Sequence, residues 1–255
     1  MLAISKALII ANSSYDNNTN TRSYTMKIRQ LFDYDTWTYT YLLWDEATKE
    51  AAVIDSVLEQ VDRDMQHIEE LGLKVKYLLE THIHADHITG AGPIRKRTKG
   101  KIVVHRNSGS ECADILADEG DSFKLGEQEI KVLHTPGHTN TDITYLIEGA
   151  AFTGDTLFVR DCGRTDFQLG SNEDMYHSLT EKLFTLPEDT LVFPAHDYKG
   201  FSQSTIGEEK QFNSRVGNGK SFKDFSTIMD GLNLPNPKRL DISVPGNLKC
   251  GDLEN

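Results

Sequence analysis

Short alternating or β-branched apolar runs dominate the first half of the chain. Thr38 to Trp44 and Ala51 to Ile54 are predicted to be strands, and the polar stretch Asp45 to Glu50 between them predicts a hairpin turn. Apolar residues then recur at helical spacing from Val57 to Leu71, and Gly72 stands at the expected stop. The chain is therefore predicted to begin with antiparallel strands and an amphipathic helix.

Several later strand-like runs each end directly before a short polar motif. Val75 to Leu79 leads into THIHADH, Glu129 to Leu133 into TPGHT, Ala151 to Thr153 into TGDT, and Leu191 to Phe193 into PAHD. Side chains from distant parts of a sequence commonly converge on loops at strand ends. The pattern predicts one shared site at a sheet edge. Further strands are predicted at Ile102 to Val104 and Ile143 to Ile147, and helices at Glu173 to Phe184 and Phe222 to Leu232.

The four motifs contain seven side chains of the kinds that bind metal ions. They are His82, His84, Asp86, His87, His138, Asp155 and His196. Two histidines two positions apart at the end of a strand point the same way, so His82 and His84 can face one ion. Asp155 follows Gly154, whose missing side chain allows close backbone approach, and its carboxylate can bridge two ions. The residues alone allow one divalent ion or two.

Composition excludes several functional classes. The chain has 255 residues, of which 38% are apolar and 26% charged, and it contains no apolar run long enough for a membrane helix. A net charge of -12 argues against nucleic acid as the main partner. Cys112, Cys162 and Cys250 are far apart and show no CxxC spacing. They predict neither a disulfide framework nor a thiolate zinc site, and favour a reducing compartment such as the cytoplasm.

The chain is predicted to hold one structured domain. Residues 1–25 are rich in Asn, Ser and Thr and are predicted to be a disordered extension. Their low acid content faintly resembles a transit peptide, which would place the protein in the mitochondrial matrix. Residues 26–255 are predicted to form a single domain with a short C-terminal appendage.

The order and spacing of the metal-binding motifs resemble those of the metallo-β-lactamase superfamily. Its HxHxDH signature, followed by a lone His, a bridging Asp and a final His, is matched between about Thr38 and Asn213. The resemblance implies an α/β fold, the αββα sandwich, in which two mixed β-sheets pack face to face and are flanked by helices. The metal site would lie at one edge. Because one fold hosts many chemistries, this resemblance does not define the reaction.

Longer stretches are more selective for function. GDTLFVRDCGRTDFQ, PAHDYKGFSQSTIGEE and the C-terminal NLPNPKRLDISVPGNLKCG are similar to the persulfide dioxygenase (sulfur dioxygenase) family. This resemblance implies oxidation of glutathione persulfide by O2 and water to sulfite and glutathione, in a homodimer. The alternative is a dinuclear zinc hydrolase of S-acylglutathione thioesters of the glyoxalase II type, for which we expect a different sequence after CGR and a larger C-terminal helical region. A non-catalytic metal-binding module is the third hypothesis.

The resemblance also implies roles for individual residues. One Fe(II) per subunit would be held by His82, His138 and Asp155, with zinc as the alternative metal. The other candidate ligands would surround this triad or form a vacant second metal site; they are His84, Asp86, His87 and His196.

Glutathione carries two carboxylates and one ammonium, so its site should offer cationic donors. Arg164 is the first candidate, followed by Tyr198 and Lys199. The competing interpretations are a structural ion pair for Arg164, with Asp161 or Asp166, and a solvated surface position for Lys199. Cys162 is expected to be a buried, inert thiol.

Overall fold

Two six-stranded sheets packed face to face form the centre of the computed structural model, which describes residues 26–252. Helices cover the outer face of each sheet, so the predicted αββα sandwich of two mixed β-sheets is confirmed. The predicted disordered extension and the transit peptide fall on residues 1–25, outside the described residues.

The first sheet contains the first six strands in chain order. They are β1 (Met26–Asp33), β2 (Thr38–Asp45), β3 (Glu50–Ile54), β4 (Lys74–Leu79), β5 (Lys101–His105) and β6 (Ile115–Ala117). β1 to β3 pair antiparallel, and β3 to β6 pair parallel. The parallel pairing from β3 to β5 follows from crossovers through helices α1 (Val61–Glu70) and α2 (Ala91–Thr98).

The second sheet follows in chain order as well. Its strands are β7 (Ser122–Leu125), β8 (Gln128–His134), β9 (Ile143–Ile147), β10 (Ala150–Gly154), β11 (Leu191–Pro194) and β12 (Ser204–Thr205). Only β10 and β11 pair parallel, because the chain crosses between them through α3 (Asn172–His177) and the irregular helical turns that end at Thr185. Three helices follow β12: α4 (Ile206–Phe212), α5 (Phe222–Asp230) and α6 (Leu240–Leu248).

Strand β2 shows how the sequence pattern produces these layers. Tyr39, Tyr41 and Leu43 belong to the apolar core between the sheets, whereas Leu42 and Trp44 pack into the separate core beneath α1 and α2. Alternation with period two places successive side chains on opposite faces of a strand. Both faces of β2 are therefore covered, and the whole strand is buried.

Several elements escaped the sequence-based prediction, β1 and α2 among them. β1 has mostly half-buried side chains, so its alternation is weak. α2 carries Gly92 and Pro93 near its start, the two residue types with the lowest helix propensity. Pro93 is tolerated because it lies in the first helical turn, where the backbone N–H groups have no partner within the helix.

The prediction that the chain holds no disulfide is wrong. Helix α6 (Leu240–Leu248) brings Cys250 against the loop before β6, where it forms a disulfide with Cys112 across 138 positions of sequence. Sequence spacing carries no information on this contact, because the fold alone brings the two cysteines together. Their spacing therefore no longer supports a reducing compartment. Cys162 is buried and free, as predicted.

None of the helices between residues 26 and 252 has the length and apolar character of a membrane-spanning segment.

The disulfide is tested by counting free thiols in protein purified without reductant. After denaturation and alkylation, peptide mass spectrometry should find label on Cys162 and on neither Cys112 nor Cys250, because the two bridged sulfurs cannot react. Prior reduction is the control and should expose all 3 cysteines. Label on Cys112 without reductant would contradict the disulfide.

Candidate metal centre

Four strand ends bring the predicted metal-binding side chains together. β4 leads into the loop that carries His82, β8 into the loop with His138, β10 into Asp155, and β11 into His196. All four side chains are buried or nearly so. The prediction that each motif follows a strand is confirmed.

His82, His138 and Asp155 form the first group of possible ligands. Asp155 Oδ2 lies 3.5 Å from His138 Nε2 and 4.0 Å from His82 Nε2, and all three side chains offer atoms within 4.8 Å of one another. Donor atoms at these separations fit one divalent ion at about 2.0–2.2 Å from each. The set of two histidines and one carboxylate suits a metal that keeps positions open for other ligands.

The imidazole of His138 is oriented for this role by its other nitrogen. Its Nδ1 donates to the backbone oxygen of Arg164 at 2.7 Å, which leaves the lone pair on Nε2 towards Asp155. Burial and the neighbouring His84 lower the pKa of His82 well below its usual value. The Nε2 atoms of both rings lie on the side of Asp155, where one metal ion could bind.

Asp155 is held in its ionised form. Its Oδ1 lies 2.6 Å from His196 Nδ1. Burial raises the pKa of Asp155, but His196, His138 and His82 together hold it well below its usual range. Gly154 has a φ of +54°, and a side chain there would meet the Cβ of Thr81 at 2.7 Å. This glycine lets Asp155 turn off the end of β10 towards the β4 loop.

His84 turns one nitrogen towards two buried carboxylates. Its Nε2 lies 3.2 Å from Asp55 Oδ1 and 3.7 Å from Glu80 Oε2. Burial lowers the pKa of His84, but the carboxylates of Asp55, Asp86 and Glu80 together outweigh it and raise this pKa to about 9. The carboxylates thus engage Nε2 and leave Nδ1, which lies 3.9 Å from Asp86 Oδ1, as the nitrogen of His84 that could bind a metal ion.

Asp86, His87 and His196 form a second hydrogen-bonded group. Asp86 Oδ2 lies 2.9 Å from His87 Nδ1 and 3.1 Å from His196 Nε2, and the Thr38 hydroxyl lies 3.2 Å from His196 Nε2. The buried Nε2 of His87 has no hydrogen-bond partner within residues 26–252. His84, Asp86 and His87 also lie close enough to share an ion. This group therefore keeps donor atoms for a second metal.

Sequence reasoning missed the residues that support these ligands. Asp55 accepts hydrogen bonds from the backbone N–H and the hydroxyl of Thr81, both at 2.8 Å, directly before His82. Asp142 accepts from the backbone N–H of Thr139 at 2.7 Å, directly after His138. A polar residue at the end of an apolar strand, as Asp55 is after β3, is the signal that could have revealed the first of these.

The three predicted substrate contacts, Arg164, Tyr198 and Lys199, have different surroundings. Both Nε and Nη2 of Arg164 contact the carboxylate of Asp166, at 2.6 and 2.8 Å, so the structural ion pair considered for Arg164 is present. The guanidinium also lies over the ring of Phe167. The exposed ring of Tyr198 lies parallel to that of His196, with centroids 6.0 Å apart. Lys199 Nζ contacts Asp161 at 3.3 Å on the surface.

Cys162 lies one residue before Gly163, which approaches the His138 ring. Burial raises the pKa of its thiol to about 12, so the reactive thiolate is absent at neutral pH. The prediction of an inert thiol is supported.

The chain is similar to known proteins of the metallo-β-lactamase superfamily and to persulfide dioxygenases among them. The family model described as "Metallo-beta-lactamase superfamily" matches residues 38–196. The mitochondrial persulfide dioxygenase ETHE1 of Mus musculus is 48% identical over 227 residues, 88% of this chain and 88% of that protein. Its Homo sapiens counterpart is 47% identical over the same shares. The crystal structure of ETHE1 from Myxococcus xanthus matches with 52% identity and a TM-score of 0.85, and covers 88% of this chain and 99% of that chain.

The metal centre is tested by Asp155→Ala. Removing the carboxylate takes away one ligand and the negative charge beside two histidines, so metal affinity should fall by more than the ~10- to 100-fold typical of residues that only support ligands. Bound metal is measured by elemental analysis after equilibration with one metal ion. The exposed Asp189→Ala serves as the control and should bind as wild type does. Undiminished binding by Asp155→Ala would contradict the assignment.

Proposed function

The chain belongs to the persulfide dioxygenase family of the metallo-β-lactamase superfamily, and we propose that it oxidises glutathione persulfide with O2 and water to sulfite and glutathione. Sequence identity to persulfide dioxygenases over most of their length identifies the chain as an enzyme of this type. The observation that carries the proposed mechanism is the face formed by His82, His138 and Asp155.

The proposed metal is one Fe(II) per subunit, bound by these three side chains. When bound, Fe(II) would supply open coordination positions and redox chemistry towards O2, which Zn(II) lacks. The set of two histidines and one carboxylate supports a single iron, because it leaves coordination positions open for substrate and O2. The unpartnered Nε2 of His87 favours the alternative, a zinc pair that hydrolyses thioesters.

The remaining side chains hold this face in a defined state. His196 keeps the Asp155 carboxylate ionised, and the backbone of Arg164 fixes the ring of His138. Thr38 and Asp86 contact the other ring nitrogen of His196, Nε2, so the orientation of this ring is fixed as well. These contacts organise the donor atoms before any ion binds, which lowers the cost of binding one.

Arg164, Tyr198 and Lys199 are the proposed glutathione contacts. Tyr198 has an exposed ring beside His196, and so offers a surface next to the metal ligands. Arg164 binds the exposed carboxylate of Asp166, and a substrate carboxylate would take its place in the same two-pronged geometry. Lys199 forms a surface ion pair that a substrate can replace at little cost.

Two further expectations concern the whole protein. A homodimer stays a prediction, and light scattering of the purified protein tests it. Location in the cytoplasm or the mitochondrial matrix also stays a prediction. The rodent and human relatives are named mitochondrial, and this favours the matrix.

Metal identity and reaction are tested together. Anaerobically purified protein loaded with Fe(II) should consume O2 and release sulfite when glutathione persulfide is added, whereas the Zn(II)-loaded form should not, because zinc does not change oxidation state. S-Lactoylglutathione is the substrate for the alternative. Thioester cleavage without O2 uptake in the iron-loaded enzyme would overturn the proposal and favour the hydrolase.

The role of Arg164 is tested by Arg164→Ala. Loss of charge-assisted contacts worth about 1.5–3 kcal/mol should lower kcat/KM for glutathione persulfide by about 10- to 100-fold, mainly through KM. Iron content should stay near normal, because the backbone oxygen that orients His138 is retained. Lys124→Ala, which removes an exposed cation on β7 that has no proposed role, is the control and should leave kcat/KM unchanged. Loss of iron in Arg164→Ala would instead assign the side chain a structural role.

A further inference from the structure

The C-terminal segment reaches the metal-binding loop through one buried amide. Asn247 lies in the last turn of α6 and is 4% exposed, about 160 positions from the residues that it contacts. A side-chain amide has two N–H donors and one carbonyl acceptor. At this position both donors and the acceptor form hydrogen bonds with the loop that follows β4.

The hydrogen bonds of Asn247 span the second half of the HIHADH motif. Its Nδ2 donates to the backbone oxygens of His84 at 2.8 Å and His87 at 2.9 Å, and its Oδ1 accepts from the backbone N–H of Thr89 at 2.8 Å. Between residues 26 and 252, none of these three groups bonds to another backbone group, although Thr89 also forms an isolated β-bridge with Val57. A buried backbone group without a partner costs about 1–3 kcal/mol. The amide therefore stabilises this conformation of the loop together with that bridge.

The other end of the same loop is held independently. Asp55 binds Thr81 through its backbone N–H and its hydroxyl, directly before His82. The loop that carries His82 is thus fixed by a carboxylate from β3 at its beginning and by the amide of Asn247 at its end.

Asn247 itself is fastened to the core. Three residues later, Cys250 forms the disulfide with Cys112, and the backbone oxygen of Cys250 accepts from Gly92 N at 2.8 Å. Gly92 lies at the start of α2, the helix into which the metal-binding loop leads. The amide is therefore presented from a segment that is covalently tied to the fold.

We propose that Asn247 is a positioning residue for the metal centre. By holding residues 84–89, its side chain sets the path of the loop on which His82 stands, and so the position of that ligand relative to His138 and Asp155. This inference rests on the proposed metal site, but not on the reaction catalysed there. A purely structural role, in which α6 only covers the sheet, predicts loss of stability without a change in metal binding.

The test compares Asn247→Leu, which keeps the approximate size of the side chain and removes all three hydrogen bonds, with wild type. Co(II) is the probe, since its visible absorption reports ligand geometry and its affinity is measured by chelator competition. Outer partners of metal ligands typically contribute 10- to 100-fold in affinity, and we expect Co(II) binding to weaken by roughly that factor. The visible spectrum of bound Co(II) should also change.

Ser243→Ala is the matched control. Ser243 lies one helical turn before Asn247 on α6, is fully buried, and its hydroxyl has no partner in the part of the chain that the structure describes. Its replacement removes a buried polar atom from the same helix without touching the loop, and should leave both Co(II) affinity and spectrum unchanged. An equal loss of affinity in Ser243→Ala would overturn the proposal in favour of a general effect of α6.

Asn247→Ser covers the case in which Asn247→Leu does not fold. The serine hydroxyl keeps one hydrogen-bond donor. The Co(II) affinity of this variant should therefore lie between that of wild type and that of a variant without donors. Denaturant unfolding of the metal-free proteins identifies variants that are folded. Wild-type affinity and spectrum in a folded Asn247 variant would overturn the proposal. Since Co(II) binding needs no oxygenase activity, a negative persulfide assay leaves this test intact.

Discussion

Burial of ionisable side chains where the two sheets meet is the constraint on which the rest of this structure depends. An unpaired charge removed from water costs several kcal/mol, so each group in the centre needs a partner of opposite charge or a hydrogen bond. Asp155 therefore lies against His196, and His84 against Asp55. The shapes of the loops follow from these pairs. Thr81 is bound by Asp55 and Thr139 by Asp142, one residue away from His82 and His138 respectively.

The same residues explain why the ligand set alone does not distinguish an oxygenase from a hydrolase. Both chemistries can use the seven side chains, and a hydrogen-bonded second group persists beside the first. Residues outside the ligand set fix which nitrogen each histidine offers. The backbone of Arg164 occupies Nδ1 of His138 and leaves Nε2, whereas Asp55 and Glu80 lie against Nε2 of His84 and leave Nδ1. Because both rings keep one nitrogen for a metal, the ligand set suits one ion or two.

Local patterns in the sequence were sufficient to predict much of the fold and the central candidate ligands. β4, β8, β10 and β11 are apolar runs with clear ends, and His82, His138, Asp155 and His196 follow them directly. The sequence could not reveal contacts that depend on the folded chain. The disulfide between Cys112 and Cys250 and the contacts of Asn247 join residues more than a hundred positions apart. Helix α2 was missed for another reason, because its composition opposes the conformation that packing imposes on it.

The wide spacing of the residues that build the centre also has a consequence for how the protein matures. Thr38, His82, Asp155 and Asn247 come from widely separated parts of the described chain, so they meet only after both sheets have paired and α6 has docked. Closing such long loops is slow, and it is driven by the apolar cores rather than by the ligands. Small zinc-binding domains fold around their ion, but here the ion would enter a nearly finished protein. Supply of the correct metal in the cell is therefore a step separate from folding, and the fully folded chain can carry a metal that does not support its reaction.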